Sequence, residues 1–396
     1  MSWLKDSLQD FWERGDKLLL ALCLAASGYG LILIFSATRY LGNSGNRNVI
    51  VQTAGIFLGV IVYIMISSVD LELFLERSWW LLLIFNLGFN LLVRVPGLGV
   101  ARGGNLSWIR FPGLPIDIQP AEVTKLTFIL LFAFQCAKLQ KRDISSPTSV
   151  LSLLGHLGIT AGLIALATRD FGMVLVYLFL FAFMTWMGGV KLRWFLLGGS
   201  ACVGGIAYIW PKISDSYLGQ RITVVIDHIM GNQETIKAQT QGRGWQQTRS
   251  ILAIGSGGLW GQGYLQGIQT QSPYENSLNA RFTDEIFAVC GEELGFVGCL
   301  IIVLLLCAII ARCIWVAHRA PSPMTSLAVM GYAGMLLFQS LLNIGMCLYV
   351  LPIVGLTLPF FSYGGSSIIT MFAAMGVVSS VKTRSLPSWL KDRNQM

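Results

Sequence analysis

Long apolar runs that carry almost no charge are the feature that most restricts how this chain can fold. As a helix, about 20 such residues match the hydrocarbon thickness of a bilayer. Charged residues make up 12% of the 396 residues, whereas soluble proteins carry about 25%. A surface this poor in charge excludes an ordinary soluble enzyme, a disordered protein and a nucleic-acid-binding protein. The sequence therefore predicts an all-α polytopic membrane protein.

Ten segments are apolar and long enough to be membrane-spanning helices. They belong to a single integral membrane domain that covers residues 1–396. A long loop, residues 211–284, separates the seventh segment from the eighth. The predicted spans are residues 17–36, 49–67, 79–93, 121–137, 150–167, 171–188, 193–210, 285–311, 325–346 and 365–382.

Lysine and arginine residues predict the orientation of these spans, because cytoplasmic loops carry an excess of both. An even number of spans places both termini on one side. If that side is the cytoplasm, the inner segments hold fifteen basic residues and the short outer loops hold six. We therefore expect a multi-pass protein of the cell membrane with both termini cytoplasmic. The outer face then carries residues 94–120, 211–284 and 352–366, and the active site is expected to face outside.

Two places put ionisable residues at the predicted outer ends of spans, where charge is costly and usually functional. Glu122 and Lys125 lie three residues apart at the start of the fourth span and share a helix face. They form either a self-neutralising structural pair or the lining of an outer cavity. Asp170 follows Arg169 in the short turn between the fifth and sixth spans. It either pairs with Arg169 at a hairpin tip or faces an outer cavity.

Four acidic residues surround the start of the eighth span. Asp284 and Glu285 precede it, and Glu292 and Glu293 lie about two helical turns further along. Adjacent residues on a helix face different directions, so Glu292 and Glu293 cannot share one partner. Asp284 is either an acid stabilised by the helix dipole or a functional carboxylate at the mouth of the long outer loop.

The segment 352–366 is apolar but is interrupted by proline and glycine residues. A regular spanning helix does not accommodate them, and irregular backbone persists at membrane depth only where it lines protein or a cavity. We interpret the segment as a re-entrant-like element. Its N–H groups either form a cradle for phosphate or sugar oxygens or pack without a ligand. The candidate cradle residues are Ser362, Gly364, Gly365 and Ser366.

The long loop contains two stretches with helical patterning. Tyr217–Ile229 is amphipathic and is expected to lie along the membrane interface. Gly242–Gly258 reads as a second short helix that ends at glycines.

Five motifs, in this order, resemble those of one protein family. They are QPAEVTK (119–125), RDFG (169–172), AIGSGGLWGQG (253–263), TDEIFAVCGEELGFVG (283–298) and NIGMCLYVLPIVGLTLPFFSYGGSS (343–367). The family is the shape, elongation, division and sporulation (SEDS) family, which includes RodA and FtsW. The resemblance covers the chain from the first span to the tenth. It implies ten spans, cytoplasmic termini and a large extracellular loop between spans seven and eight.

The resemblance also implies an activity. SEDS proteins are peptidoglycan glycosyltransferases that polymerise lipid II into glycan strands on undecaprenyl pyrophosphate. They work with a class B penicillin-binding protein, a transpeptidase that cross-links the strands. The essential aspartate of the family's TDxIF motif matches Asp284, which we expect to be the general base for the acceptor hydroxyl. The candidate substrate-binding residues are Glu122, Lys125, Asp170, Arg102, Trp108, Arg281, Ser362, Gly364, Gly365 and Ser366.

Cofactors and alternative functions are less constrained by the sequence. The eight cysteines and three histidines form no metal-binding motif, although the resemblance leaves room for a divalent cation, Mg²⁺ or Mn²⁺. A lipid II flippase is the alternative function, since charges within spans and broken helices also mark transport sites. A structural scaffold for the penicillin-binding protein is a third. Charged motifs on the outer side and the lack of an internal repeat favour the polymerase.

Residues 385–396 bear on the cellular role. They contain no recognisable recruitment domain. This favours the elongation type of the family, which acts in cell shape.

Overall fold

The computed structural model describes residues 11–102, 105–113, 116–214, 216–231, 242, 244–274 and 277–384. Within these ranges the chain is mostly helical. The helices are α1 (Lys17–Thr38), α2 (Asn43–Ser67), α3 (Leu71–Leu91), α4 (Pro120–Gln140), α5 (Pro147–Thr168), α6 (Phe171–Met187), α7 (Leu192–Ile213), α8 (Tyr217–Met230), α9 (Trp245–Gly257), α10 (Ile286–His318), α11 (Pro323–Cys347) and α12 (Gly365–Thr383). The helices α8 and α9 confirm the two helices predicted in the long loop.

Eight of the described helices are long and apolar enough to cross a membrane, namely α1, α2, α4, α5, α7, α10, α11 and α12. This confirms a polytopic membrane protein. The helices α3 and α6 occupy the positions of the third and sixth predicted spans but fall short of that standard. Glu72, Glu76 and Arg77 lie in α3, and α6 has only 17 residues. The total of ten spans therefore stays a prediction.

The helices α4, α11 and α12 form the centre of the bundle. In the apolar 18-residue stretch of each helix, 67% of the residues are buried in α4 and 72% in α11 and α12, whereas no residue of that stretch is buried in α7. Small residues let α2 approach α12 closely. A Cβ at Gly376 would lie 2.9 Å from the carbonyl oxygen of Tyr63. This packing fixes the position of α12 and of the irregular segment that precedes it.

An ion pair with a buried carboxylate ties three helices together at one end of the bundle. The Asp16 carboxylate caps α1 by accepting the N–H of Leu19, and it pairs with Arg312 of α10 at 2.9 Å. The Asp16 N–H donates to the hydroxyl of Ser379 on α12 at 3.1 Å. The level of this ion pair is therefore a common reference for depth along α1 and α10.

A small antiparallel sheet in the loop before α4 is an addition to the predicted all-helical fold. It consists of β1 (Gly99–Arg102), β2 (Asn105–Arg110) and β3 (Asp117–Ile118), in that order. Arg110 and Asp117 pair at 2.8 Å across β2 and β3. Strands this short carry little periodic signal, which is why the sequence did not predict them.

The helix α10 is interrupted at Gly295, which has a φ of 64°. Backbone groups freed by the break pair with the preceding loop. The N–H of Phe296 donates to the carbonyl of Gly258, and the N–H of Gln262 donates to that of Glu292, both at 2.9 Å. The part of α10 before Gly295 is thereby held against residues 258–263.

Candidate active site

Asp284 lies immediately before α10, in a stretch whose backbone is fixed by later parts of the chain. The carbonyl oxygens of three consecutive residues each accept a hydrogen bond. The pairs are Tyr363 N–H to Phe282 (2.8 Å), the Ser362 hydroxyl to Thr283 (2.5 Å) and Asn343 Nδ2 to Asp284 (2.9 Å). The backbone that carries the Asp284 side chain is therefore anchored to α11 and to the chain just before α12.

The donors in this anchor come partly from residues 352–364, which we call the irregular segment because they form no regular helix. Three consecutive residues, 353–355, meet three different elements. The first carbonyl accepts from Arg221 Nη1 of α8 at 2.6 Å. The carbonyl oxygen of Val354 is so close to Gly172 in α6 that a Cβ added there would lie 2.4 Å from it. A Cβ added at Gly355 would lie 3.9 Å from Asp284 Oδ2. The irregular segment thus brings α6, α8 and Asp284 together.

The Asp284 side chain is partly buried, and no hydrogen bond from the described residues to its carboxylate is present. Burial raises the pKa of Asp284 from its ordinary 3.8 to about 6, while the positive charge of Arg221 acts in the opposite direction. A carboxylate with free lone pairs and a pKa near neutrality is suited to accept a proton from a substrate.

Glu122 and Lys125 form the predicted ion pair in the first turns of α4. Lys125 Nζ lies 2.7 Å from Glu122 Oε2, and the two side chains are 0% and 5% exposed. The Ser367 hydroxyl in the first turn of α12 and Gln339 Nε2 of α11 approach the same carboxylate at 3.4 and 3.5 Å. The pair therefore lies where α4, α11 and the start of α12 meet.

Asp170 caps α6 and also contacts the start of α4. Its carboxylate accepts the N–H of Met173 at 3.1 Å and Gln119 Nε2 at 2.7 Å. Its described partners are thus Gln119 and Met173 and not Arg169, which ends α5 with a φ of 55°. Because Gln119 directly precedes α4, the structure places Asp170 at the start of the helix that carries Glu122 and Lys125.

Several predicted substrate-binding residues have internal partners. Arg281 is buried, and its Nη1 donates to the carbonyl of Thr270 at 2.6 Å. The Ser362 hydroxyl holds the backbone before Asp284, as described above. The N–H of Gly364 donates to Gln52 Oε1 of α2 at 3.0 Å. All three donors therefore have partners within the protein, and the phosphate cradle at Ser362 and Gly364 stays a prediction.

The remaining predicted residues occupy two places. Gly365 and Ser366 begin α12, with Ser366 buried. Trp108 lies in β2, opposite Val100 of β1. Arg102 lies in β1, and its side chain falls outside the described part of the chain. Their part in substrate binding stays a prediction.

The other acidic residues near Asp284 are used by the protein itself. Glu285 is buried and accepts the N–H of Ala280 at 3.3 Å. Glu292 and Glu293 are fully buried and have separate partners, as predicted. Their donors include Gln269, Thr270, Leu265, Gly267, Ser36 and Gln271. Asp284 is therefore the acid of this group whose carboxylate is available to a ligand.

The described residues do not fit a metal held by the protein alone. In the described ranges no group of three or more His, Cys, Asp or Glu side chains converges. Asp284 and Glu285 are adjacent, but the Glu285 carboxylate is directed to the turn at Ala280. We therefore derive no catalytic step through a divalent cation.

Three residues of the site were missed from the sequence. Asn343 and Gln52 are amides within apolar spans, and Arg221 lies on the amphipathic helix α8. A polar residue within an apolar span is a signal that could have identified the first two. Asn343 Nδ2 is central, because it donates to the carbonyls of both Asp284 and Leu356, at 2.9 and 2.8 Å.

Comparison with known proteins identifies several relatives over nearly the whole chain. Peptidoglycan glycosyltransferase MrdB of Escherichia coli K12 is 30% identical over 383 residues, covering 94% of this chain and 95% of the relative. Stage V sporulation protein E of Bacillus subtilis is 31% identical, covering 93% and 97%. A probable peptidoglycan glycosyltransferase FtsW of Halothiobacillus neapolitanus is 31% identical, covering 96% and 91%.

Solved structures share the fold. A chain of a peptidoglycan synthase complex, studied for the structural coordination of polymerization and crosslinking, has a TM-score of 0.74 and 27% identity, covering 96% of this chain and 99% of that one. The rod shape-determining protein RodA of Thermus thermophilus has a TM-score of 0.64 and 26% identity, covering 94% and 98%. The family model for FtsW, RodA and SpoVE, described as cell cycle proteins, matches residues 16–386. The chain therefore belongs to the FtsW/RodA/SpoVE family, the SEDS family that its motifs resemble.

Proposed function

We propose that this protein is a peptidoglycan glycosyltransferase that polymerises lipid II into glycan strands, with Asp284 as its general base. The observation that carries the proposal is the Asp284 carboxylate itself. It is held by an anchored backbone, has no hydrogen-bond donor among the described residues and has a pKa of about 6. Relatives over nearly the full chain carry the name peptidoglycan glycosyltransferase.

The reaction is a single displacement at the anomeric carbon of the donor sugar. Asp284 accepts the proton of the acceptor 4-hydroxyl as its oxygen forms the new glycosidic bond. The bond between the anomeric carbon and the pyrophosphate oxygen breaks, and undecaprenyl pyrophosphate leaves with that electron pair. Positive charge and N–H groups stabilise such a leaving group. In the proposed mechanism Lys125, beside the first turn of α12, supplies this charge through its electric field and not by contact, because its side chain is 0% exposed and paired with Glu122.

The orientation and partners are part of the same proposal. We place both termini in the cytoplasm and Asp284 at the outer face, in accordance with the distribution of basic residues. The partner is a class B penicillin-binding protein, supported by the likeness to a chain of a peptidoglycan synthase complex. The cellular role is elongation and cell shape.

The test is strand synthesis from purified lipid II, with the cognate penicillin-binding protein present and its transpeptidase blocked. We expect long glycan strands on a polyacrylamide gel. Transfer of lipid II across a sealed vesicle without any strands would instead establish the flippase and contradict the proposal.

The pKa of Asp284 predicts how the polymerisation rate depends on pH. The base acts only when ionised, so a pKa raised to about 6 removes activity as the pH falls through 6. An ordinary aspartate would lose activity only near pH 4. A rate profile between pH 4.5 and 8 measures the midpoint. A rate at pH 5 equal to the rate at pH 8 would contradict the assignment of Asp284 as the base.

Arg221→Met removes the positive charge that lowers the pKa of Asp284. We therefore expect the midpoint of the rate profile of this variant at a higher pH than that of the unsubstituted protein.

Asn343→Leu is expected to slow polymerisation about 10- to 100-fold, because a displacement of the catalytic group by about 1 Å has effects of that size. The substitution removes the hydrogen bonds to the carbonyls of Asp284 and Leu356. Ser340→Ala is the matched control, since this buried α11 hydroxyl has no described partner. Initial rates and melting temperatures are compared for both. Equal rates in the two variants would show that Asn343 does not position Asp284.

A further inference from the structure

We propose that the glycine-rich loop, residues 258–271, is immersed in the hydrocarbon of the outer leaflet and contacts lipid acyl chains. From sequence, this loop belongs to the extracellular segment 211–284. The proposal rests on three independent features of the loop: its depth, the pairing of its backbone and the exposure of its apolar side chains.

The depth follows from two helices that share one reference level, the Asp16–Arg312 ion pair. Asp16 directly precedes the predicted span 17–36 and Arg312 directly follows the predicted span 285–311, so in the proposed orientation the pair marks the inner edge of the hydrocarbon. Ile32 on α1 and Phe296 on α10 each lie sixteen residues from that pair, which is about 24 Å along a helix. The hydrocarbon core is about 30 Å thick. The hydroxyl of Tyr264 donates to the carbonyl of Ile32 at 3.0 Å, and Gly258 accepts from Phe296 at 2.9 Å. Both contacts place the loop within the outer leaflet.

Irregular backbone is tolerated at this depth only if its polar groups are satisfied by protein. Glu292 and Glu293, both 0% exposed, provide most of the acceptors. Their backbone carbonyls accept the N–H groups of Gln262 and Gly263. Their carboxylates accept the N–H groups of Leu265, Gly267, Gln269 and Thr270 at 2.8 to 3.4 Å. The two buried acids therefore allow this loop to leave water.

Four side chains of the loop are exposed, and three of them are apolar, the fourth being Gln266. Leu259, Trp260 and Ile268 are 66%, 79% and 75% exposed. They continue the apolar surface of α10, where Phe296 and Leu304 are about as exposed, at 60% and 58%. At the depth of the outer leaflet, lipid acyl chains are the surroundings that suit this surface. A paired backbone with a mostly apolar outer surface is the pattern of a lipid-facing surface and not of an aqueous loop.

The test measures the surroundings of single nitroxide labels in the full chain reconstituted in vesicles. Cys202 and Cys307 are the exposed cysteines of the described chain, and both are replaced by serine. Labels are then placed with Trp260→Cys and Ile268→Cys. Leu304→Cys, in the middle of α10, is the lipid control, and the exposed Asn279→Cys is the water control. Collision with oxygen, which concentrates in hydrocarbon, is compared with collision with a water-soluble nickel chelate.

We expect the oxygen-to-nickel collision ratio at residues 260 and 268 to match residue 304 and to exceed that at residue 279 several-fold. A ratio like that of residue 279 would place the loop in water and overturn the proposal. Low collision with both reagents would mean that protein covers the loop, which would also overturn it. If a labelled variant does not fold, quenching by brominated lipids is compared between the unsubstituted chain and Trp260→Phe, and an unchanged quenched fraction contradicts lipid contact.

Discussion

Asp284→Asn is expected to reduce the rate of glycan polymerisation by about 10²- to 10⁴-fold, the usual contribution of a general base. The amide has nearly the same shape as the carboxylate but cannot accept the acceptor's proton. Its backbone keeps all three anchoring hydrogen bonds at residues 282–284, so folding should be retained. Strand synthesis from lipid II is measured at equal protein concentration, with melting temperature as the check on folding.

Glu285→Gln is the matched control for this substitution. Glu285 is the next residue and also a buried carboxyl, but its oxygen accepts the N–H of Ala280, a bond that the glutamine oxygen can replace. We expect this variant to keep most of its activity. If Asp284→Asn made strands as fast as the unsubstituted protein, Asp284 would not be the base. If only Glu285→Gln were inactive, the base would be Glu285.

Lys125→Met is expected to lower both stability and activity. It leaves the Glu122 carboxylate buried without its cation, and breaking a buried pair on one side costs about 3–5 kcal/mol. Both side chains are essentially inaccessible and lie 2.7 Å apart. Thermal unfolding in detergent, followed by loss of the monodisperse peak, measures the first effect. Lipid II polymerisation measures the second.

The double variant Glu122→Gln/Lys125→Met separates the two interpretations of this pair. Removing both charges avoids the unpaired ion, so we expect the melting temperature to recover most of the loss. If the pair acts on the pyrophosphate, polymerisation stays low although folding is restored. Recovery of both quantities would show that Glu122 and Lys125 have only a structural role.

The parts of the site that the sequence indicated depend on local signals. The Glu122–Lys125 pair follows from helix spacing, and the motif around Asp284 carries its own resemblance. The hydrogen-bond donors that hold Asp284 could not be predicted in the same way. Asn343 is 59 residues away from it in sequence, and nothing in the local pattern indicates which carbonyls it reaches.

For the same reason, the sequence could not show that three predicted phosphate-binding residues have partners within the protein. Ser362, Gly364 and Arg281 have the right chemistry for phosphate binding, but the fold brings a carbonyl or an amide oxygen to each of them. A buried donor must be paired, so the acceptor that the folded structure places next to it determines what it binds. That partner is a property of tertiary packing.

The sequence by itself determined that this chain is a helical membrane protein of the FtsW/RodA/SpoVE family, and it predicted a functional acid before α10. The length and the charge of an apolar segment can be read from the sequence, and they determine whether the segment is stable as a helix in a bilayer. Only the tertiary structure decided which polar groups serve Asp284, which serve the fold, and that residues 258–271 lie beside the bundle at the depth of Ile32. These outcomes depend on contacts between residues far apart in sequence, which local patterns do not encode.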